Sequence, residues 1–275
     1  MMKAGKYIKD FIQLKYFYSI SVFILIFFCH TSFAQEVREL NEADKSALEG
    51  IIVEKYYTSD ASDNKDTTGG YLPVGSVTYR IYVDMKPDYT LQVVYGSAKH
   101  ELRIKTTTSF FNNTYIHAAT GLNVHNTKIN ENTVALDSWL TMNSATRNHA
   151  GVLKSEDKDG SIITRSSLSK ADGLTSGNLP MFKPYNLDMS FFNKNGDDSV
   201  FYANNGGWAA INGTTSGTKG PTPENRVLIA QLTTNGKLSF ELNVQIGTPS
   251  GGTVNFVAKN PEGSEIKFDG LTYNN

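Results

Sequence analysis

The sequence predicts an all-β fold, an antiparallel β-sandwich or jelly roll with long polar loops. Three observations point there. Apolar and polar residues alternate along several stretches, the period of two that sends successive side chains to opposite faces of a strand. Clusters of Asn, Asp, Gly and Ser punctuate those stretches as turns. Beyond Glu49, no stretch of ten or more residues carries the period of an amphipathic helix, and no repeat of fixed length recurs.

The N-terminal end is of a different kind. Lys3, Lys6 and Lys9 precede an apolar run from Tyr16 to Cys29, and Ser32-Phe33-Ala34 comes before Gln35. A basic start, a short apolar run and small residues at −3 and −1 predict a signal peptide over residues 1–34, cleaved after Ala34. The chain is therefore expected to be secreted, to the extracellular space or the cell surface. The run is 14 residues long, against roughly 20 for a helix that crosses a bilayer. Lipidation of Cys29 is the alternative, but Phe28 stands where a lipoprotein signal wants a small residue.

Cleavage would remove the one cysteine, and with it any disulfide, thiolate metal site or cysteine nucleophile. The first 34 residues also hold four lysines and Asp10, so 22 Lys+Arg would remain against 26 Asp+Glu, a net of −4. That balance gives no electrostatic case for nucleic acid or an anionic membrane, and no membrane span is expected after cleavage.

Residues 35–49 read as a polar segment with a short helix, capped by Asn41 and ended by Gly50, with Leu40, Ala43 and Ala47 on one side. Residues 50–275 fit one β-sandwich domain, a size at which such folds occur as single units. Val77, Tyr79, Ile81 and Val83 alternate with Thr78, Arg80 and Tyr82, and predict a strand with one buried face. Leu91, Val93 and Tyr95 predict the next strand, and Lys86-Pro87-Asp88 between them suits a hairpin turn. Leu102 and Ile104 mark a third.

Asn143 to Gly207 reads as long loops carrying short strands. Val227 to Leu232 is apolar on both faces except at Gln231, as in an inner strand. Asn235-Gly236 predicts a type I′ turn, after which Leu238, Phe240, Leu242, Val244 and Ile246 keep strict alternation. Val254–Phe256 and Ile266–Phe268 would close the sheet.

Four segments in this order resemble a family of uncharacterised secreted bacterial β-sandwich domains. They are Ser76-Val77-Thr78-Tyr79-Arg80-Ile81-Tyr82-Val83, Leu91-Gln92-Val93-Val94-Tyr95-Gly96, Leu136-Asp137-Ser138-Trp139-Leu140-Thr141, and the strand from Arg226 to Thr234. The resemblance spans roughly Gly50 to Tyr273. It implies export and a cell-surface or extracellular setting. The family carries no known activity, so no catalytic role transfers.

The candidate chemistry is sparse. Asp137-Ser138-Trp139 invites a nucleophile reading, with His117, His125 or His149 as base, but no G-x-S-x-G elbow presents the serine. In a strand register Val134, Leu136, Ser138 and Leu140 share a face, which turns Ser138 to the core.

Asp60, Asp63, Asn64 and Asp66 precede Gly69-Gly70 and could supply oxygens to Ca²⁺. Glu156, Asp157 and Asp159, and Asn193, Asn195, Asp197 and Asp198, form similar groups. The same residue types also build ordinary solvated turns. Trp208, Trp139 and Tyr82, with Tyr56 and Tyr57, could present flat rings to a sugar, although aromatics also favour strands for packing alone. The histidines lack zinc-ligand spacing.

The leading expectation is a secreted, non-enzymatic module that binds an extracellular glycan or surface protein. A polysaccharide hydrolase using Glu156 and Asp157, and a structural envelope or matrix protein, are the alternatives.

Overall fold

The computed structural model describes residues 40–164, 168–193, 198–213 and 215–275. The expected signal peptide, residues 1–34, lies outside the described residues.

Among the described residues, seventeen strands fall in chain order. They are β1 (Leu48–Thr58), β2 (Val77–Met85), β3 (Thr90–Gly96), β4 (Leu102–Thr106), β5 (Trp139–Leu140), β6 (Ala150–Gly151), β7 (Leu174–Thr175), β8 (Met181–Tyr185) and β9 (Val200–Ala203). Then come β10 (Gly206–Asn212), β11 (Thr215–Ser216), β12 (Arg226–Thr234), β13 (Leu238–Glu241), β14 (Asn243–Gly247), β15 (Thr253–Val257), β16 (Ile266–Lys267) and β17 (Thr272–Asn274). The only α-helices among the described residues are α1 (Glu42–Lys45) and α2 (Ala61–Lys65). The all-β sandwich is as the alternation predicts.

Asn41 does cap α1, its Oδ1 accepting from the Asp44 N–H at 2.8 Å. The helix ends at Lys45 rather than Gly50, because β1 already begins at Leu48 and pairs with β2.

One sheet has the order β1-β2-β12-β5. The β11-β10-β3-β14-β15-β16 sheet, with β8 beside β10, and the β17-β13-β4-β9 sheet run into one another, while β6 and β7 pair apart from both. β3 runs on into β4, β14 runs back from β13, and β9 leads into β10. The pairings match on both sides of the break: β10-β3-β14 on one, β9-β4-β13 on the other. Three long strands thus form one antiparallel ladder that bends along a line through Ser97–Glu101, Asn204-Asn205 and Leu242.

Asn243 pins that bend. It is buried, its Nδ2 donates to the carbonyls of Tyr95, His100 and Glu101 at 3.2 Å each, and its Oδ1 accepts from the Ala258 N–H at 3.2 Å. The strands also approach too closely for any side chain at Gly96, where a Cβ would sit 2.1 Å from the Ala203 carbonyl oxygen.

The main core lies between the β1-β2-β12-β5 sheet and the bent ladder. Tyr79, Ile81, Val83 and Met85 of β2 and Val227, Ile229 and Leu232 of β12 share it with Leu238, Phe240, Leu242, Val244 and Ile246. All five of the alternating positions from Leu238 to Ile246 are buried as the sequence predicts, although the run is split into β13 and β14. Burying side chains of this size stabilises by roughly 1.5–3 kcal/mol each.

Two turns depart from expectation. Lys86-Pro87-Asp88 and Asn235-Gly236 do not close hairpins, because β2 and β3, like β12 and β13, belong to different sheets. They are arches that cross the core. Asn235 and Gly236 do not take the positive φ of a type I′ turn. The Gly236 N–H donates instead to Thr234 Oγ1 at 3.0 Å, and the Lys237 N–H to Thr107 Oγ1 at 2.9 Å.

The other face of the β1-β2-β12-β5 sheet is covered too. Loops between Phe111 and Leu174 bury a second cluster that includes Tyr56, Tyr57, Tyr82, Leu136, Trp139 and Leu228. Alternation alone predicts that the polar side of β2 faces water, yet Thr78, Arg80 and Tyr82 are all buried. Tyr56 and Tyr57 share that layer because a bulge between Lys55 and Tyr57 breaks the alternation.

Asn243→Ala would remove the donor to the Tyr95, His100 and Glu101 carbonyls, of which His100 keeps the Ser97 N–H at 2.7 Å, and would leave the Ala258 N–H without its acceptor. It is expected to cost roughly 2–4 kcal/mol and to lower Tm by roughly 5–15 °C. Asn243→Asp, which keeps the shape but loses the donors, should fall comparably. A thermal melt of either variant within about two degrees of the parent, no more than the shift expected for about 1 kcal/mol, would mean the bend is held by other contacts.

Candidate functional site

The most distinctive open feature is a cleft of about 450 Å³ beside the arch at Asn235. One wall is the loop Tyr71-Leu72-Pro73 with Ser76. The other is Thr108 to Phe111 with Thr234 and Asn235. None of these lining residues is charged. Tyr71 stands 67% exposed at its mouth, followed by Val74 at 59%.

Local chemistry makes the Tyr71 wall firm. Leu72 is fully buried and anchors the loop. Ser59 Oγ and Ser76 Oγ both donate to the Pro73 carbonyl at 2.7 Å, and Asn64 Nδ2 donates to the Leu72 carbonyl at 3.1 Å. The facing wall is held by threonines. Thr234 Oγ1 lies 2.7 Å from Thr106 Oγ1 and 3.0 Å from Thr108 Oγ1, and donates to the Ser109 carbonyl at 3.0 Å. The result is a neutral, hydroxyl-rich slot with one exposed aromatic ring. Tyr71 is not among the residues the sequence singles out. Its one signal there is an aromatic between Gly69-Gly70 and Pro73, a setting that neither strand nor helix explains.

The residues expected to carry a binding platform lie elsewhere. Trp208, Trp139 and Tyr82 are buried, so none offers a ring face to a ligand. Trp208 fills the main core with its Nε1 donating to the Thr141 carbonyl at 3.0 Å. Trp139 packs in the second cluster, and the Tyr82 hydroxyl donates to the Val152 carbonyl at 2.7 Å. Large rings are worth most when buried: Trp208 faces the main core and Trp139 faces the layer that covers the β1-β2-β12-β5 sheet.

The acidic groups have structural work. Asp60 caps α2, accepting from the Ser62 and Asp63 N–H groups, while Asp63 accepts from the Asp60 N–H at 2.9 Å and from the Tyr57 hydroxyl at 3.0 Å. With Asn64 holding Leu72, this cluster braces the cleft loop. Its oxygens are spread over caps and anchors rather than turned toward one point. Asp66 accepts from the Thr68 N–H. Among the described residues no group of three His, Cys, Asp or Glu side chains is placed to hold a metal ion.

Glu156 pairs with Arg226, and Asp157 accepts from the Asp172 and Gly173 N–H groups at 2.9 Å. Both carboxylates therefore pin the loop layer and do not face each other across a cleft. Asp159 accepts from Thr175 Oγ1. Of the third group, Asn195 and Asp197 lie outside the described residues.

Ser138 is buried, as expected, and its Oγ accepts from the Thr233 N–H at 2.9 Å. The strand expected from Val134 is shorter: Val134–Leu136 is a 3-10 turn, and pairing starts at Trp139. The turn forms because both flanks of the segment are buried, so no alternation is needed to hide it.

Asp137 beside it is fully buried. Its Oδ1 accepts from the Asn113 and Ser138 N–H groups at 2.6 and 2.9 Å. Burial outweighs these bonds and raises its pKa well above the ordinary carboxylate range.

Comparison of the chain with protein-family models, with curated proteins and with solved structures finds no match in any of the three.

A carboxyl whose folded pKa is raised takes up a proton on folding. Its stabilising contribution is complete below the unfolded value, about 3.9, and is lost as pH rises toward the folded value. Asp137→Asn keeps the accepting oxygen and removes the titration. The parent should therefore lose stability relative to this variant as pH climbs above about 4, at a rate approaching roughly 1.4 kcal/mol per pH step of one between the two pKa values. Urea melts of both proteins between about pH 4 and pH 8 measure this, and parallel curves would refute a raised Asp137.

Proposed function

We propose that the chain is an exported, non-enzymatic module that binds a neutral glycan in the cleft between Tyr71 and Thr108–Phe111. The observation that carries this reading is the cleft's chemistry. It is open and uncharged, has hydroxyl and amide groups along its walls, and has one ring exposed at the rim. A sugar offers the complement: hydroxyls that exchange hydrogen bonds with Thr108, Ser109, Ser76 and Asn235, and an apolar C–H face that stacks on a tyrosine. Pre-organisation supports the same reading, because a loop tied down at Leu72 and Pro73 loses little entropy on binding. The export half of the proposal is supported by the basic, apolar and small-residue pattern of residues 1–34.

The hydrolase reading finds no such support. Glycoside cleavage needs two carboxyls on opposite sides of the scissile bond, and the residues lining this cleft include none. Glu156 and Asp157 are committed to Arg226 and to backbone N–H groups.

A screen against neutral glycans should find a ligand whose affinity drops roughly 10- to 30-fold in Tyr71→Ala, the loss typical of a central aromatic anchor. Tm should hold, since the ring is exposed. A panel with no neutral binder, or a binder indifferent to Tyr71→Ala and Thr108→Val, would sink the proposal.

A further inference from the structure

A second surface, sharing no residue with the cleft, lies on the outer face of the β9-β4-β13-β17 sheet. A depression of about 340 Å³ there is lined by Lys99, His100, Glu101, Arg103, Glu241 and Lys259. It runs into another of about 170 Å³ that shares Arg103, Glu241 and Lys259 and adds Lys105, Ser239 and Asn274. Register explains the alignment. Arg103 sits opposite Tyr202 on one side and Glu241 on the other, while Lys105 sits opposite Val200 and Ser239. Their neighbours Leu102, Ile104, Phe201 and Phe240 point into the core, so the outward set is fixed by the pleat.

The groove's own lining is richer in cations than in carboxylates, with Glu262 on Lys99 and Glu265 on His100 at its rim. It gathers Lys99, Arg103, Lys105 and Lys259 against Glu101 and Glu241, in a chain whose net charge is −1. The buried His100 lies 2.8 Å from Glu265, while Arg103 pairs with Glu101 at 2.8 Å, Lys259 with Glu241 and Lys99 with Glu262, these three all at least partly exposed. Such pairs are individually weak and exchange readily for a ligand's charge. Lys105 has no carboxylate at ion-pair distance among the described residues. At one end Tyr202 is 42% exposed, with the Arg103 guanidinium 5.5 Å from its ring centroid.

We propose that this groove binds an anionic polysaccharide chain, one bearing carboxylate or sulfate groups. Cations at Arg103 and Lys105 are two residues apart on one strand, about 7 Å, which suits charges spaced along a sugar polymer. Glu101 and Glu241 between them accept hydrogen bonds from sugar hydroxyls, and Tyr202 offers a face for stacking. The same two carboxylates disfavour a nucleic acid, whose phosphates lie about one per 1.7 Å of duplex.

The test is affinity electrophoresis and calorimetry of the full chain with polygalacturonate, dextran sulfate, a neutral glucan and duplex DNA. Binding to at least one of the two polyanionic sugars is expected at about 50 mM NaCl, weakening about tenfold or more by about 300 mM as counterions screen the groove. Lys105→Glu with Lys259→Glu should weaken it about tenfold or more, while Tyr71→Ala leaves it unchanged. Failure of the neutral-glycan cleft would thus not be mistaken for failure here. No polyanion binding at low salt, binding that the double variant leaves intact, or tighter and more salt-dependent binding to DNA would each overturn the proposal. Thermal melts and the milder Lys105→Ala separate lost binding from lost fold.

Discussion

The buried guanidinium of Arg80 is the constraint around which the molecule is arranged. It sits at the centre of β2, 2% exposed, and its charge must be met inside the protein. Nε donates to Gln231 Oε1 at 2.9 Å, and Nη1 donates to the Gly173 carbonyl at 2.9 Å. The guanidinium carbon lies 3.7 Å from the Tyr56 ring centroid. Those partners come from β12, from the loop layer and from β1. One side chain therefore ties the sheet to its covering. Gln231 passes the connection on, its Nε2 donating to the Ala135 and Asp137 carbonyls.

The loop layer is built to supply those carbonyls. Asp172 folds its own loop by accepting from the Ile162, Ile163 and Leu174 N–H groups, while its carbonyl receives the Tyr56 hydroxyl at 2.7 Å. Asp157 in turn holds the Asp172 and Gly173 N–H groups. Acidic residues that look like surface turns are here the internal frame of a lid over one sheet. Ladder bend and loop lid thus use the same device: Asn243 and Arg80 each draw backbone carbonyls from other segments onto one buried donor group.

Strand alternation was legible because period two is a local property. Val77 to Val83, Leu238 to Ile246 and the inner strand at Val227 were all readable from their own residues. Which sheet each strand joins was not, because Lys86-Pro87-Asp88 and Asn235-Gly236 look the same whether the chain turns back or crosses the core. The buried polar face of β2 was unreadable for a related reason: the loops that cover it come from Phe111 to Leu174, far along the sequence, and carry no regular pattern. The same limit hid the site. Trp139 and Trp208 look like platforms because of their chemistry, but each faces a covered layer and is buried, whereas Tyr71 is held exposed by a bracing network of Ser59, Asn64 and Ser76 that only the folded chain brings together.

The pairing of β2 with β12 also fixes an order of events. Arg80 and Gln231 are 151 positions apart, and the first sheet has no second neighbour for β2 until the last quarter of the chain is present. Closing loops of that length must precede any energetic return from the contacts they make, which places this topology among the slow folders. Until β12 pairs, β2 lacks its second strand neighbour and Arg80 lacks the Gln231 acceptor. The largely apolar strand that completes the first sheet is thus also, within that sheet, the one that lies farthest along the chain from its partner, so that core closes only when two distant segments meet.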